Sequence, residues 1–197
     1  AAGRYGLASQ LDRWVIRTTL ELASTHDLGD ETVLSVNLSG HSLGDENFLH
    51  YLRDAVSSSG VNGRNLCFEI TESAAITNVK VAMRLIAELR ELGCCFALDD
   101  FGRGLSSFAY LKTLPVDIVK IDGLFVRGMA HDELDFSMVK TINEVAHTAG
   151  MMTVAAYVEN QTILDMLTDI GVDYAQGFAM GPSLPLETIL GNLEQSR

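Results

Sequence analysis

From one end to the other the sequence alternates between short apolar runs and longer segments whose apolar residues recur at helical spacing. That alternation limits the fold more than any other feature. Short continuous apolar runs are what strands buried on both faces look like, as in parallel sheets. Six such runs are read, at 33–38, 66–70, 95–98, 116–122, 152–157 and 172–177. Helices are predicted at about 11–23, 46–57, 79–92, 133–148 and 162–170, with a last one ending near 194 and another opening at Ser106-Ser107. On the first helix the spacing puts Leu11, Trp14, Val15, Thr18 and Leu22 on the inner face, and on the second Phe48, Leu49, Leu52, Ala55 and Val56. Strand and helix in strict alternation imply right-handed crossovers and a parallel sheet.

A polar residue stands near the C-terminal end of strand after strand: Asn37, Glu69, Asp99, Lys120 and Gln176. Convergence of polar side chains on one rim is the habit of eight-stranded barrels, where the loops after the strands carry the chemistry. An open doubly wound sheet fits less well, because no glycine-rich phosphate fingerprint follows the first strand. The expected fold is therefore α/β, a TIM-type (β/α)8 barrel with its first two strands absent from this chain. Residues 1–197 are read as a single, N-terminally incomplete domain, since no linker or low-complexity segment interrupts them and the chain starts at Ala1-Ala2-Gly3 without a methionine.

The charge balance narrows the partners. With 26 Asp and Glu against 14 Lys and Arg, the net charge is −12, which argues against a nucleic-acid polymer as partner. An anionic ligand is compatible only where cations or a few placed basic groups lie between it and the protein. No apolar run is long enough to span a bilayer. Three cysteines, Cys67, Cys94 and Cys95, follow no zinc spacing and read as reduced thiols in a cytoplasmic setting.

The third run, Cys95-Phe96-Ala97-Leu98, ends in adjacent carboxylates, Asp99 and Asp100, before the glycine-punctuated loop Phe101-Gly102-Arg103-Gly104. Two acids at a buried strand end need a cation or strong donors to offset them, so a metal site is the first hypothesis. Each candidate also has a plainer reading. Asn37 could bond a neighbouring strand, Lys120 could pair with Asp122 or Asp100, Glu72 could cap the helix it opens, and Arg103 could be a solvated loop tip that also meets a phosphate. His41, His131 and His147 share no face and read as surface residues.

Taken together, five segments resemble the EAL family of cyclic di-GMP phosphodiesterases. They are Val36-Asn37-Leu38-Ser39, Phe68-Glu69-Ile70-Thr71-Glu72-Ser73, Asp99 to Ser107, Val119-Lys120-Ile121-Asp122 and Tyr174-Ala175-Gln176-Gly177. The resemblance runs from about Leu11 to Pro185. It implies a modified eight-stranded barrel with one antiparallel strand, and hydrolysis of cyclic di-GMP to pGpG by metal-activated water with Mg²⁺ or Mn²⁺. By position it makes Asn37, Glu69 and Asp99 ligands of one metal and Asp100 the ligand reaching a second. Lys120 falls near the attacking water, Glu72 holds the loop after Asp99-Asp100, Gln176 lies beside the second metal, and Glu159 is the last glutamate of the family's AEGVE segment. Partners implied are cyclic di-GMP, fused GGDEF, PAS or other sensory domains, and a second copy of the chain in a homodimer. The setting implied is the bacterial cytoplasm.

Two departures from the family matter. The namesake Glu-Ala-Leu segment is not in this sequence, and AEGVE is replaced by Ala155-Ala156-Tyr157-Val158-Glu159. Ala156 stands where the family has a glutamate tied to the metals and to activation of water. Loss of such a carboxylate costs about 10²-fold or more in rate. The expectation is thus a phosphodiesterase domain with impaired chemistry. The alternatives are a non-catalytic cyclic di-GMP receptor and a dimerisation scaffold.

Overall fold

A computed structural model describes residues 7–104 and 111–195. The chain divides into two compact units, one formed by residues up to Ile70, Thr77–Phe96 and from Leu184 onward, the other by Thr71–Ile76 and Ala97–Ser183. The element order is α1 (Ala8–Ser24), β1 (Leu34–Leu38), α2 (Gly40–Leu43), α3 (Glu46–Ser59), β2 (Leu66–Thr71), α4 (Glu72–Thr77), α5 (Val79–Arg90), β3 (Cys95–Phe101), β4 (Ile118–Ile121), α6 (Gly123–Gly128), α7 (Glu133–Thr148), β5 (Met152–Ala155), α8 (Gln161–Ile170), β6 (Tyr174–Ala175) and α9 (Leu186–Gln195). All six expected strands form, and their order in the sheet follows the chain. The helix expected at Ser106-Ser107 lies outside the described residues.

In the first unit β1 runs parallel to β2, Leu34 opposite Leu66 and Asn37 opposite Glu69. The helices are delimited by local chemistry. Asp45 caps α3 by accepting from Asn47 N at 3.0 Å, and Gly60 closes it in the left-handed region at φ 74°. Phe48, Leu49, Leu52 and Val56 are buried as the spacing predicts. A second cluster joins Ala23, Leu28 and Leu190, with Leu186 and Leu193 of α9 packed on it.

The first helix presents a different face from the expected one. Ala8, Asp12, Ile16, Leu20 and Ala23 are buried, while Leu11 and Trp14 are about half exposed. The inner stripe is obscured because a carboxylate lies in it. Asp12 Oδ2 accepts from Ser39 N at 2.9 Å and from Ser42 Oγ at 2.6 Å, which satisfies the buried charge and fixes the turn that follows β1.

In the second unit β3, β4, β5 and β6 pair in sequence, each parallel to the next. Asp132 caps α7 through Leu134 N and Asp135 N, and Asn160 caps α8 through Ile163 N, with Gly171 ending α8 at φ 82°. Beneath α7 a polar chain, buried at Asn143 and Thr153 and open to solvent at His147 and Asp173, ties three elements together. Thr153 Oγ1 donates to Asn143 Oδ1, Asp173 Oδ2 accepts from Thr153 N at 2.7 Å, and the same oxygen meets His147 Nε2 at 2.8 Å. Burial alone would raise the Asp173 carboxyl, but the bonds from His147 and Thr153 outweigh it and hold it below the usual range. Among the described residues no helix is long and apolar enough to cross a membrane.

Asp12→Ala leaves the Ser39 amide and Ser42 hydroxyl without their acceptor and opens a small void. A loss of about 1–3 kcal/mol in urea unfolding is expected. Trp14→Ala, on the exposed face, should cost less than about 0.5 kcal/mol. Equal effects would sink the assignment of the helix face.

Candidate functional site

The C-terminal end of β3 departs from regular pairing. Leu98 pairs with Val119 and Phe101 with Ile121, so three steps along β3 answer two along β4. The extra residue makes a β-bulge that sets Asp99 and Asp100 together against Lys120. Asp100 takes φ 54°, a left-handed conformation that Asp and Asn tolerate better than other side chains.

The charges around this bulge do not balance. Lys120 is 6% exposed, and its Nζ lies 3.4 Å from Asp99 Oδ1. The sequence offered Asp122 or Asp100 as its partner; the bulge brings Asp99 within ion-pair distance, and the Lys120 charge acts on Asp100 as well. Asp99 Oδ1 also accepts from Asp100 N at 3.0 Å. Asp122 is as buried as Lys120 and caps α6, its Oδ1 accepting from Leu124 N at 2.7 Å. Its Oδ2 is buried and accepts no hydrogen bond; Arg103 Nε stands 4.0 Å away on a side chain that is mostly in solvent. Burial, followed by the charges of Asp99 and Asp122, pushes the Asp100 carboxyl above its ordinary range, against the pull of Arg103 and Lys120. Asp122 was seen in the sequence only as a partner for Lys120. An Asp directly before Gly123 and a helix is an N-cap signal that could have marked it.

Glu72 braces the same loop. It opens α4, is 4% exposed, and accepts from Gly102 N at 3.2 Å through Oε2, while its Oε1 is buried and unbonded. Farther along the rim, Ala156 N donates to Ile121 O at 3.3 Å and Gln176 N to Ala155 O at 2.9 Å. Ala156 and Gln176 therefore end β5 and β6 at the level where Asp122 ends β4. The Gln176 and Glu159 side chains are exposed, and Ala156 brings no carboxylate to this point.

Tyr157 takes a left-handed backbone at φ 60°. Its ring lies over Gly123, where a Cβ would come within 2.2 Å of it, and the Arg127 guanidinium sits 5.0 Å from the ring centroid.

In the other unit, Asn37 and Glu69 are register partners at the ends of β1 and β2. Glu69 is 5% exposed, whereas Asn37 is exposed rather than a buried amide. Two residues before Glu69 on the same strand, Cys67 is fully buried. Its thiol is pushed well above the usual range by its hydrogen bond to Cys95 and by burial.

The donor set around the bulge suits a hard divalent cation. The donors are carboxylate oxygens, they carry more negative charge than Lys120 offsets, and one buried oxygen of Asp122 has no hydrogen bond. Among the described residues no group of three Asp, Glu, His or Cys side chains is placed to hold a metal ion by itself.

Charge crowding gives Asp100 a sign that can be checked. Its folded pKa is raised, so the protonated form is the one the fold prefers, and the stability it contributes below about pH 3.8 is lost as pH rises through the folded pKa. In the presence of EDTA, Asp100→Asn should therefore raise Tm at pH 7, with the gain vanishing toward pH 3. A lower Tm for the variant at pH 7 would contradict the crowding.

The EAL domain family model matches residues 1–183. The chain is 44% identical over 98% of its length to cyclic di-GMP phosphodiesterase PdeB of Shewanella oneidensis, of which it covers 23%. It thus spans about a quarter of the length of the curated relatives it matches. Among solved structures, the PaMucR phosphodiesterase in complex with c-di-GMP superposes with a TM-score of 0.89 at 30% identity, covering 96% of this chain and 77% of that one. The FimX EAL domain from Pseudomonas aeruginosa bound to c-di-GMP gives 0.82 at 33% identity, covering 90% and 72%. With the strand order, the acid pair ending β3 and these likenesses agreeing, the chain belongs to the EAL domain family.

Proposed function

We propose that this chain is a cyclic di-GMP phosphodiesterase domain whose turnover is limited by Ala156. The observation that carries the proposal is the bulge that sets Asp99 and Asp100 against Lys120. It concentrates negative charge at a strand end and leaves that charge under-compensated. In this reading Asp99 and Asp100 hold Mg²⁺ or Mn²⁺, and the resemblance adds Asn37 and Glu69 to the ligand set. When bound, the metals neutralise phosphate oxygens and lower the pKa of water.

The remaining work falls to side chains of the chain itself. Hydrolysis adds a water oxygen to phosphorus and releases a 3′-hydroxyl, turning cyclic di-GMP into pGpG. Lys120 holds Asp99 in place and offers a positive charge to the phosphate. Glu72 fixes the Gly102 amide and with it the loop leaving Asp100. Gln176, Glu159 and Arg103 are exposed groups available to the dinucleotide. What the rim lacks is a proton acceptor at position 156, where a methyl group replaces a carboxylate.

That same absence favours a second reading, a receptor that binds cyclic di-GMP with divalent metal and does not turn it over. Conversion of cyclic di-GMP to pGpG in Mg²⁺, followed by chromatography, separates the two. Ala156→Glu is expected to raise turnover by about 10²-fold or more. Absence of pGpG from both proteins, with binding seen by calorimetry, would leave only the receptor. Asp99→Asn should abolish metal-dependent binding; indifference to it would remove Asp99 from the ligand set.

A further inference from the structure

The segments that lead into β1 and β2 enclose a cavity of about 240 Å³. It lies at the N-terminal ends of those strands, the opposite end from Asn37 and Glu69. One wall is the end of α1 with the turn 26–30, and the other comes from the stretch 60–65. Among the described residues no lysine or arginine lines it, although two carboxylates do, those of Asp27 and Asp30. Two helices also finish here, α1 at Ser24 and α3 at the capping Gly60, and neither carries a basic residue in its last turn. A helix C-terminus bears about half a negative charge and favours a cation beside it.

Two further lining groups face the cavity as acceptors. Asn65 is 6% exposed, and its Nδ2 donates to Gly29 O at 2.7 Å and to Thr32 O at 2.6 Å. Both partners are carbonyls, so these bonds use the NH₂ group and turn the amide oxygen the other way. Among the described residues no donor reaches that oxygen, and since it is not sealed from solvent it opens on the cavity it lines. His26 Nδ1 lies 2.9 Å from Leu22 O, which can only accept. Nδ1 therefore carries a proton, and in the neutral ring Nε2 is left as an acceptor.

These groups select the kind of cation. Among the described residues no three His, Asp, Glu or Cys side chains are placed to hold a metal ion, which sets a bare metal aside. A guanidinium brings five N–H donors in a rigid plane and sheds water more readily than an ammonium, so it can serve acceptors spread around a wall. The volume lies below the range of about 300–1,000 Å³ for drug-sized ligands, which fits one guanidinium on a short alkyl chain.

We propose that this cavity is a binding site for a small, free alkylguanidinium compound. The guanidinium donates to the Asn65 amide oxygen, and the exposed Asp30 supplies the opposing charge at the mouth. Its residues are all distinct from those assigned to phosphodiester chemistry. Occupancy bridges the two segments that lead into β1 and β2, so it stabilises the strands that carry Asn37 and Glu69.

The test is titration of the ¹⁵N-labelled chain with ethylguanidinium at low ionic strength, followed by NMR. Saturable shifts are expected at millimolar concentrations, far below denaturing ones, confined to the amides of 23–30 and 60–65 and the Asn65 side chain. Asp30→Asn, shown folded by its own spectrum, should weaken binding about two- to fivefold. Asp169→Asn, which removes the same charge from the exposed side of α8, should leave the affinity unchanged. Propylammonium should bind more weakly, and tetramethylammonium, a cation without N–H groups, should not bind. Shifts that never saturate or that spread over the acidic surface, an equal response to tetramethylammonium, or an unaltered affinity in Asp30→Asn would each overturn the proposal.

Discussion

Like charge held at one strand end governs the architecture of the rim. Two unit charges about 4 Å apart near a protein surface interact by about 4 kcal/mol, so carboxylates gathered at a strand end are tolerated only with compensation. Lys120 supplies part of it by reaching Asp99, and α6 supplies more by presenting its first amides to Asp122. Glu72, on α4, holds the Gly102 amide and keeps the backbone after Asp100 from relaxing outward. Each arrangement costs burial of a polar group, and each makes sense only if the acids are to stay together.

The contrast with the rest of the molecule sharpens this. Away from the rim, among the described residues, buried polar side chains are engaged: Asp12 with Ser39 and Ser42, Asn65 with the carbonyls of Gly29 and Thr32, Thr153 with Asn143 and Asp173. At the rim, Asp122 Oδ2 and Glu72 Oε1 are buried without a hydrogen bond. Leaving the Glu72 and Asp122 oxygens unsatisfied spends stability where function needs reactive or ligand-binding oxygens.

How much of this the sequence carries depends on the range of the interactions. The six strands were legible as short apolar runs, although β2 is buried nearly throughout while β1 exposes alternate residues and β6 stays open, and α3, α5 and α7 because their stripes are long. The face of α1 was not legible, since Asp12 sits in the buried stripe and its partners lie about thirty residues away. The short helices α2, α4 and α6 fall below any periodicity window, although Ser39 and Asp122 are capping residues in plain view. Asp99, Asp100 and Lys120 could be picked out as strand-end residues. That they oppose each other through a bulge could not, because a two-against-one register is a property of a pair of strands. The gap at Ala156 is visible only against the family pattern, since alanine ending an apolar strand is unremarkable by itself.

The Tyr157 ring seated on Gly123 ties together two positions that are far apart in the chain. No side chain fits at 123 while an aromatic ring covers it, and the ring owes its place to a backbone conformation that glycine adopts without strain. The two sites therefore do not drift separately. A bulkier residue at 123 would require something small at 157, and glycine at 157 would release the constraint on 123.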